Sequence, residues 1–152
     1  ANFLTYPFSD TGVDIVQGWE YNYSDSNHCG IDYRKGGSSW LTFEVQAPAS
    51  GYYSCQYSTT WGYYVLGQHS VDSTTYYTVY AHLESCDEFE SGEKQVGDYL
   101  GMVGNTGSAS NGIVHLHLEI GVNDYGQPGC DESVDQSSSH CSDRVGNVAL
   151  RP

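Results

Sequence analysis

The sequence predicts an all-β domain with little helix, built on an antiparallel β-sheet core. Three observations carry that prediction. Helical periodicity is weak throughout, stretches rich in Tyr, Val, Leu and Thr follow one another, and turn chemistry such as Ala-Pro-Ala-Ser-Gly and Asn-Thr-Gly separates them. Eighteen glycines, fourteen tyrosines and one methionine fit a folded, turn-rich chain. A disordered acidic tail would lack the aromatics.

Six stretches read as strands. They are Ser39 to Val45, Gly51 to Thr59, Gly62 to Gly67, Thr74 to His82, Tyr99 to Val103 and Val114 to Val122. The first 27 residues, with Pro7, Gly12 and Gly18, read as loop with at most a short edge strand, and the segment from Asn123 to Pro152 reads as a polar tail. No linker and no repeat divides the 152 residues, so a single domain with one core is expected.

Charge narrows the partners. Nineteen Asp and Glu against five Lys and Arg leave a net charge of −14. No basic stripe exists to neutralise phosphates, which argues against nucleic acid and against anionic lipid. Apolar runs are only a few residues long, so no membrane-spanning helix is expected. The expectation is a monomer.

Cysteines stand at 29, 55, 86, 130 and 141, without a C-x-x-C pair. Disulfides are the first reading: Cys130 with Cys141 around a loop-like segment, and Cys55 with Cys86, leaving Cys29 over. That usage points to an oxidising compartment and to secretion. A start at Ala1 suits a processed mature form and suits a trimmed boundary equally.

The histidines concentrate the chemistry. His28 and Asp32 are four apart in NHCGIDY, with Gly30 between them to let the backbone turn so that both face one point. In HLHLE, strand alternation puts His115, His117 and Glu119 on one face, read as wet and ligating, and Leu116 and Leu118 on the other. His82 closes the stretch TVYAHL. Two His and one Asp suit a catalytic zinc, which keeps a fourth position for water. Taken singly, H-x-x-x-D occurs by chance, and His82 could be a satisfied core histidine.

The order H-x-G-x-D, then Tyr-Ala-His-Leu, then Val-Gly-Asn-Thr-Gly followed by His-Leu-His-Leu-Glu resembles the lysostaphin-type zinc endopeptidases of family M23. The resemblance covers His28 to Ile120, with motifs about 50 and 33 residues apart (His28 to His82, His82 to His115). It implies Zn2+ held by His28, Asp32 and His117, with His82 and His115 as the catalytic histidines, and a groove walled by loops. Ile113 and Val114 replace the Gly-Pro usual before the first histidine, which bears on approach geometry rather than on the ligands.

No H-E-x-x-H occurs, so the base that takes a proton from a metal-activated water is expected to be an imidazole, His115 before His82. His82 is left to orient the water, stabilise the oxyanion or protonate the leaving amine. Tyr21 and Tyr23 are candidates for an oxyanion donor, or ordinary groove aromatics. Glu119 is a candidate partner for a ligand imidazole, or an exposed strand carboxylate. His69 and His140 fit no motif and read as structural or surface residues. Cys29 is read as a disulfide or buried thiol rather than as a ligand.

The expected function is therefore a secreted zinc endopeptidase of bacterial peptidoglycan peptides, stem or cross-bridge. The alternatives are a non-catalytic binding or regulatory module of the same fold, and a protease of Gly-rich proteins such as elastin.

Overall fold

The computed structural model describes residues 3–17, 30–122 and 150–151. Their elements in chain order are β1 (Leu4–Thr5), β2 (Val13–Gln17), β3 (Ile31–Lys35), β4 (Glu44–Gln46), β5 (Gly51–Ser58), β6 (Gly62–Val71), β7 (Thr74–Leu83), β8 (Gly92–Lys94), β9 (Tyr99–Met102), β10 (Leu116–Val122) and β11 (Leu150–Arg151). A single 3-10 turn, Ser108–Ser110, is the helical content among the described residues. The all-β expectation holds.

Seven strands form one sheet in the order β2-β3-β10-β7-β6-β5-β8, and every described pairing in it is antiparallel. Strands β4 and β9 form a two-stranded antiparallel ribbon, and β1 pairs with β11 in parallel. The long central strands β6 and β7 are Tyr/Val/Thr-rich, residues that suit a pleated, half-buried surface.

One face of the sheet carries the main core. Tyr33, Leu116, Leu118, Tyr80, Leu83, Val65 and Tyr53 pack with Phe43, Val45, Leu100 and Val103 from the β4–β9 ribbon and its flanks. A satellite cluster of Leu4, Ala49 and Ile120 lies under the N-terminal segment with Phe3 and Tyr76. Cys55 and Cys86 are joined in a disulfide, as expected, tying β5 to the segment after β7. Cys29, Cys130 and Cys141 lie outside the described residues.

Three strand expectations change. The stretch Ser39 to Val45 is strand only from Glu44, because Gly36 and Gly37 at φ 60° and 67° turn the chain and the Ser38 hydroxyl accepts from the amides of Trp40 and Leu41. The N-terminal region holds β2 and also β1, and β3 begins directly after Gly30, where a turn alone was expected. Strand β6 runs on to Val71, turning through Asp72 and Ser73, both at positive φ.

Candidate functional site

The ladder between β3 and β10 sets the site. His117 lies opposite Asp32, with Leu116 opposite Tyr33 and Leu118 opposite Ile31. Alternation therefore sends Asp32 and His117 to one face and leaves the apolar partners in the core. On β10 the expected division holds: His115, His117 and Glu119 share the face opposite Leu116, Leu118 and Ile120. The face is not wet, however. Glu119 is fully buried, His117 is 4% exposed and His115 7%. The indole of Trp61, from the β5–β6 turn, stacks on the His117 ring at 4.9 Å and 29°.

His82 reaches the same place by a different device. Tyr80 pairs with Val65 and Leu83 with Tyr63, so Ala81 and His82 together stand against Tyr64 alone. That is a β-bulge. Between two core residues there are two positions rather than one, and both turn toward the site: Ala81 pairs with His117, while His82 takes φ 65° and brings its ring to 4.8 Å from His115 and 6.0 Å from His117. A non-glycine residue in the left-handed region needs support. The His82 amide donates to the Trp61 carbonyl at 3.1 Å, its carbonyl accepts from Gly104 at 2.9 Å, and its Nδ1 is 2.7 Å from the Thr106 carbonyl. Thr106 is itself anchored, its hydroxyl donating to the Leu83 carbonyl and accepting from the Tyr63 amide. Gly62 lies against Thr106 so closely that a side chain there would collide with it.

Those contacts fix tautomers. A carbonyl only accepts, so a ring nitrogen facing one carries the proton. His82 Nδ1 donates to Thr106, and His115 Nδ1 donates to the Ile113 carbonyl at 2.8 Å. Each ring then keeps Nε2 as its basic nitrogen. Burial pushes the His82 pKa down to about 4, with the neighbouring His115 and His117 adding to it against the Thr106 bond and Asp32. Burial also lowers His115, helped by His117 and Arg34 and opposed by Asp32 and the Ile113 bond. Both rings are neutral proton acceptors near pH 7, and His115 Nε2 lies 3.7 Å from Asp32 Oδ2.

His117 is held the opposite way. Its Nδ1 is 2.9 Å from Asp32 Oδ1 and its Nε2 is 2.9 Å from Glu119 Oε2. Burial works against its proton, but the hydrogen bonds and charges of Asp32 and Glu119 outweigh it and raise the pKa to about 9. Gly30 also leaves the space that His117 occupies. A Cβ there would lie 2.6 Å from the Leu118 carbonyl oxygen and 2.8 Å from His117 Cε1.

Asp32, His82, His115 and His117 thus converge. His28, Tyr21, Tyr23, Cys29 and His140 lie outside the described residues. Among the described residues no three His, Cys, Asp or Glu side chains form a metal-holding group. The donor chemistry nonetheless suits a cation: a carboxylate oxygen and an imidazole nitrogen face each other, and the other imidazole nitrogen is braced by a buried carboxylate. Sequence reasoning missed Trp61 and Thr106; a tryptophan in a tight turn and the Asn-Thr-Gly loop are the signals that were there. His69 is a core residue, 1% exposed, packed between Phe3 and Tyr53.

An antiparallel sheet thus brings one carboxylate and three imidazoles to a shared point. Peptidase family M23 matches residues 26–128, and the chain belongs to that family. No curated protein sequence matches the chain. Among solved structures it is similar to the catalytic domain of the prophage-encoded M23 protein EnpA from Enterococcus faecalis (A109H mutant), at 18% identity and TM-score 0.62, covering 86% of this chain and 96% of that one. It is similar to the catalytic domain of the antimicrobial peptidase lysostaphin from Staphylococcus simulans, at 21% identity and TM-score 0.54, covering 88% and 82%. It is also similar to the SpoIIQ-SpoIIIAH pore forming complex, at 23% identity and TM-score 0.64, covering 78% and 83%. At such identities the likeness concerns the fold. No described helix is long and apolar enough to cross a membrane.

Proposed function

We propose that this chain is a secreted zinc endopeptidase that hydrolyses peptide bonds of bacterial peptidoglycan. The observation that supports it most is the meeting of Asp32 and His117 with two neutral imidazoles, His82 and His115, whose Nε2 atoms are both left to accept a proton. His28, Asp32 and His117 would hold the zinc. When bound, zinc lowers the pKa of its water toward roughly 7 and polarises the scissile carbonyl.

The chain's own residues do the rest. His115, next but one to His117 on the strand, would take the water's proton at Nε2 and pass it on to the leaving amine. Its neutral state near pH 7 suits a base, and Nδ1 stays pinned to Ile113. His82, with a pKa near 4, is too weak a base to arrive protonated, so of the roles open to it the one that fits is accepting a hydrogen bond that orients the water. Glu119 holds His117 in place from behind, and Trp61 roofs it against solvent.

Purified protein should carry close to one zinc per chain. It should clear a cell-wall suspension and cleave peptides containing Gly-Gly or D-Ala, and His117→Ala should lose metal and activity together. Zinc-loaded protein that does neither sinks the enzyme reading and leaves the binding module of the same fold. Mass analysis of fragments from purified peptidoglycan names the bond.

A further inference from the structure

Arg34 stands on the site face of the sheet. Asp32 and Arg34 are two residues apart on β3, so their side chains point the same way. One step beyond the Leu116–Tyr33 pair, the antiparallel register sets Arg34 against His115. The side chain is half-buried. Its Nε is enclosed and has no hydrogen-bond partner, and no described hydrogen bond engages either Nη. The guanidinium is therefore seated in protein at Nε, with its two Nη nitrogens uncommitted among the described residues.

Nothing described neutralises it. Asp14 lies across from Arg34 on β2, yet no ion pair joins Arg34 to Asp14, Asp32 or any other described carboxylate. The described lysines are engaged elsewhere. Lys35 Nζ is 2.7 Å from Asp10, and Lys94 Nζ sits 4.9 Å over the Phe89 ring. In a chain of net charge −14, an uncommitted arginine beside the site is an anomaly of sign. A field of that sign repels anionic substrates at long range, so a carboxylate could dock only where a cation meets it locally. A planar pair of N–H donors is the geometry a carboxylate takes bidentately.

We propose that Arg34 is a specificity-determining residue that binds a substrate carboxylate next to the peptide bond cleaved at His115. The proposal rests on the peptidase reading above and narrows its substrate to peptides carrying a free carboxylate there, whether a C-terminal one or a side-chain one.

Two matched pairs of cleavable peptides test it, a C-terminal carboxylate against its carboxamide and an internal Glu against Gln. Zinc-loaded wild type should favour the carboxylate member of one pair by about tenfold or more in kcat/KM, mostly through KM, and the preferring pair identifies the source. Arg34→Gln should bring that ratio to within about twofold, and Arg34→Lys, which keeps the charge without the fork, should fall between. A merely structural role would slow both members of a pair alike and leave the ratio intact. Equal cleavage of both members by wild type, or a preference that survives Arg34→Gln, overturns the proposal. If neither member is cleaved, the peptidase reading fails on its own, and equilibrium binding of the same peptides decides Arg34. Salt-sensitive binding of the carboxylate form that is lost in Arg34→Gln supports it, and equal binding of both forms overturns it.

Discussion

Replacing Glu119 by Gln separates charge from shape at the most buried point of the site. Glu119 is fully buried and its Oε2 lies 2.9 Å from His117 Nε2. A glutamine can still accept from Nε2–H through its carbonyl oxygen, so the ring stays oriented. What goes is a negative charge that makes His117 a stronger base, part of what raises its pKa to about 9. Removing such a partner of a ligand imidazole weakens metal binding by about 10–100-fold, or roughly 1.4–2.7 kcal/mol. The proton competes for the same nitrogen, and below its pKa each pH unit costs the wild type about tenfold in apparent affinity. Glu119→Gln lowers both proton and metal affinity, so the gap between the two proteins should be widest near pH 9 and narrow toward pH 7. Chelator-buffered zinc titrations at both pH values measure it. Glu119→Ala should go further, removing a buried carboxylate hydrogen-bonded to His117 and costing about 3–5 kcal/mol in urea unfolding, a large share of the 5–15 kcal/mol typical of a domain. Wild-type zinc affinity in Glu119→Gln at pH 9 would refute the reasoning.

Gly30→Ala places a methyl 2.6 Å from the Leu118 carbonyl oxygen and 2.8 Å from His117 Cε1, so it should cost about 1–3 kcal/mol by thermal melt and lower activity with it; an unchanged melt and rate would show that the segment yields freely. His69 is neutral in the fold, because Nδ1 donates to the Ser50 carbonyl and Nε2 accepts from Thr78, and burial, opposed by the Ser50 bond, holds its pKa below 6.5. The unfolded chain takes the proton first, so the contribution of His69 should be full above about pH 6.5 and fall as pH drops from there through the folded pKa. Urea midpoints between pH 6.5 and 5 should fall, and His69→Asn should flatten part of that fall, the remainder coming from the likewise depressed His82 and His115 set against the raised His117. The Cys55–Cys86 bridge spans 31 residues, and its loss in the double serine variant should cost about 3–4 kcal/mol and roughly 7–14 °C in Tm, read by calorimetry. The charge of −14 should repel an anionic wall, so activity on intact walls should rise from low to moderate salt; a steep fall across that range contradicts it.

Much of this site could be read from strand periodicity alone, because β10 alternates without interruption. His115, His117 and Glu119 fall on one side and Leu116, Leu118 and Ile120 on the other, as a period of two requires. The wetness of that side could not be read, since Trp61 covers it from a turn more than fifty residues earlier in the chain. Length of strand was overdrawn where apolar residues sit in a turn. Trp40 and Leu41 look like strand residues but follow Gly36-Gly37 and are exposed. His69 offered no motif because its partners are a carbonyl and a threonine hydroxyl, which leave no pattern in a sequence. Asp32 follows the bend at Gly30 as the second residue of a strand, and the glycine also makes room for the imidazole packed against it.

His82 shows why alternation fails where chemistry is concentrated. On an unbroken β7 it would share the core face with Tyr80 and Thr78, and Leu83 would be turned outward. The extra residue opposite Tyr64 corrects both at once: Leu83 returns to the core, and His82, at φ 65°, joins His115 and His117. The cost is a left-handed residue of about 1–3 kcal/mol, sustained by hydrogen bonds that His82 donates to Trp61 and Thr106 and accepts from Gly104. Those three partners come from the β5–β6 turn and the loop after β9, segments that meet where Gly62 and Gly107 let their backbones touch. The ring's position is therefore set by the contact between two loops rather than by β7 itself. Substitutions at Gly62 or Gly107 should consequently displace His82 while leaving the Asp32–His117 pair, which the β3–β10 ladder holds independently.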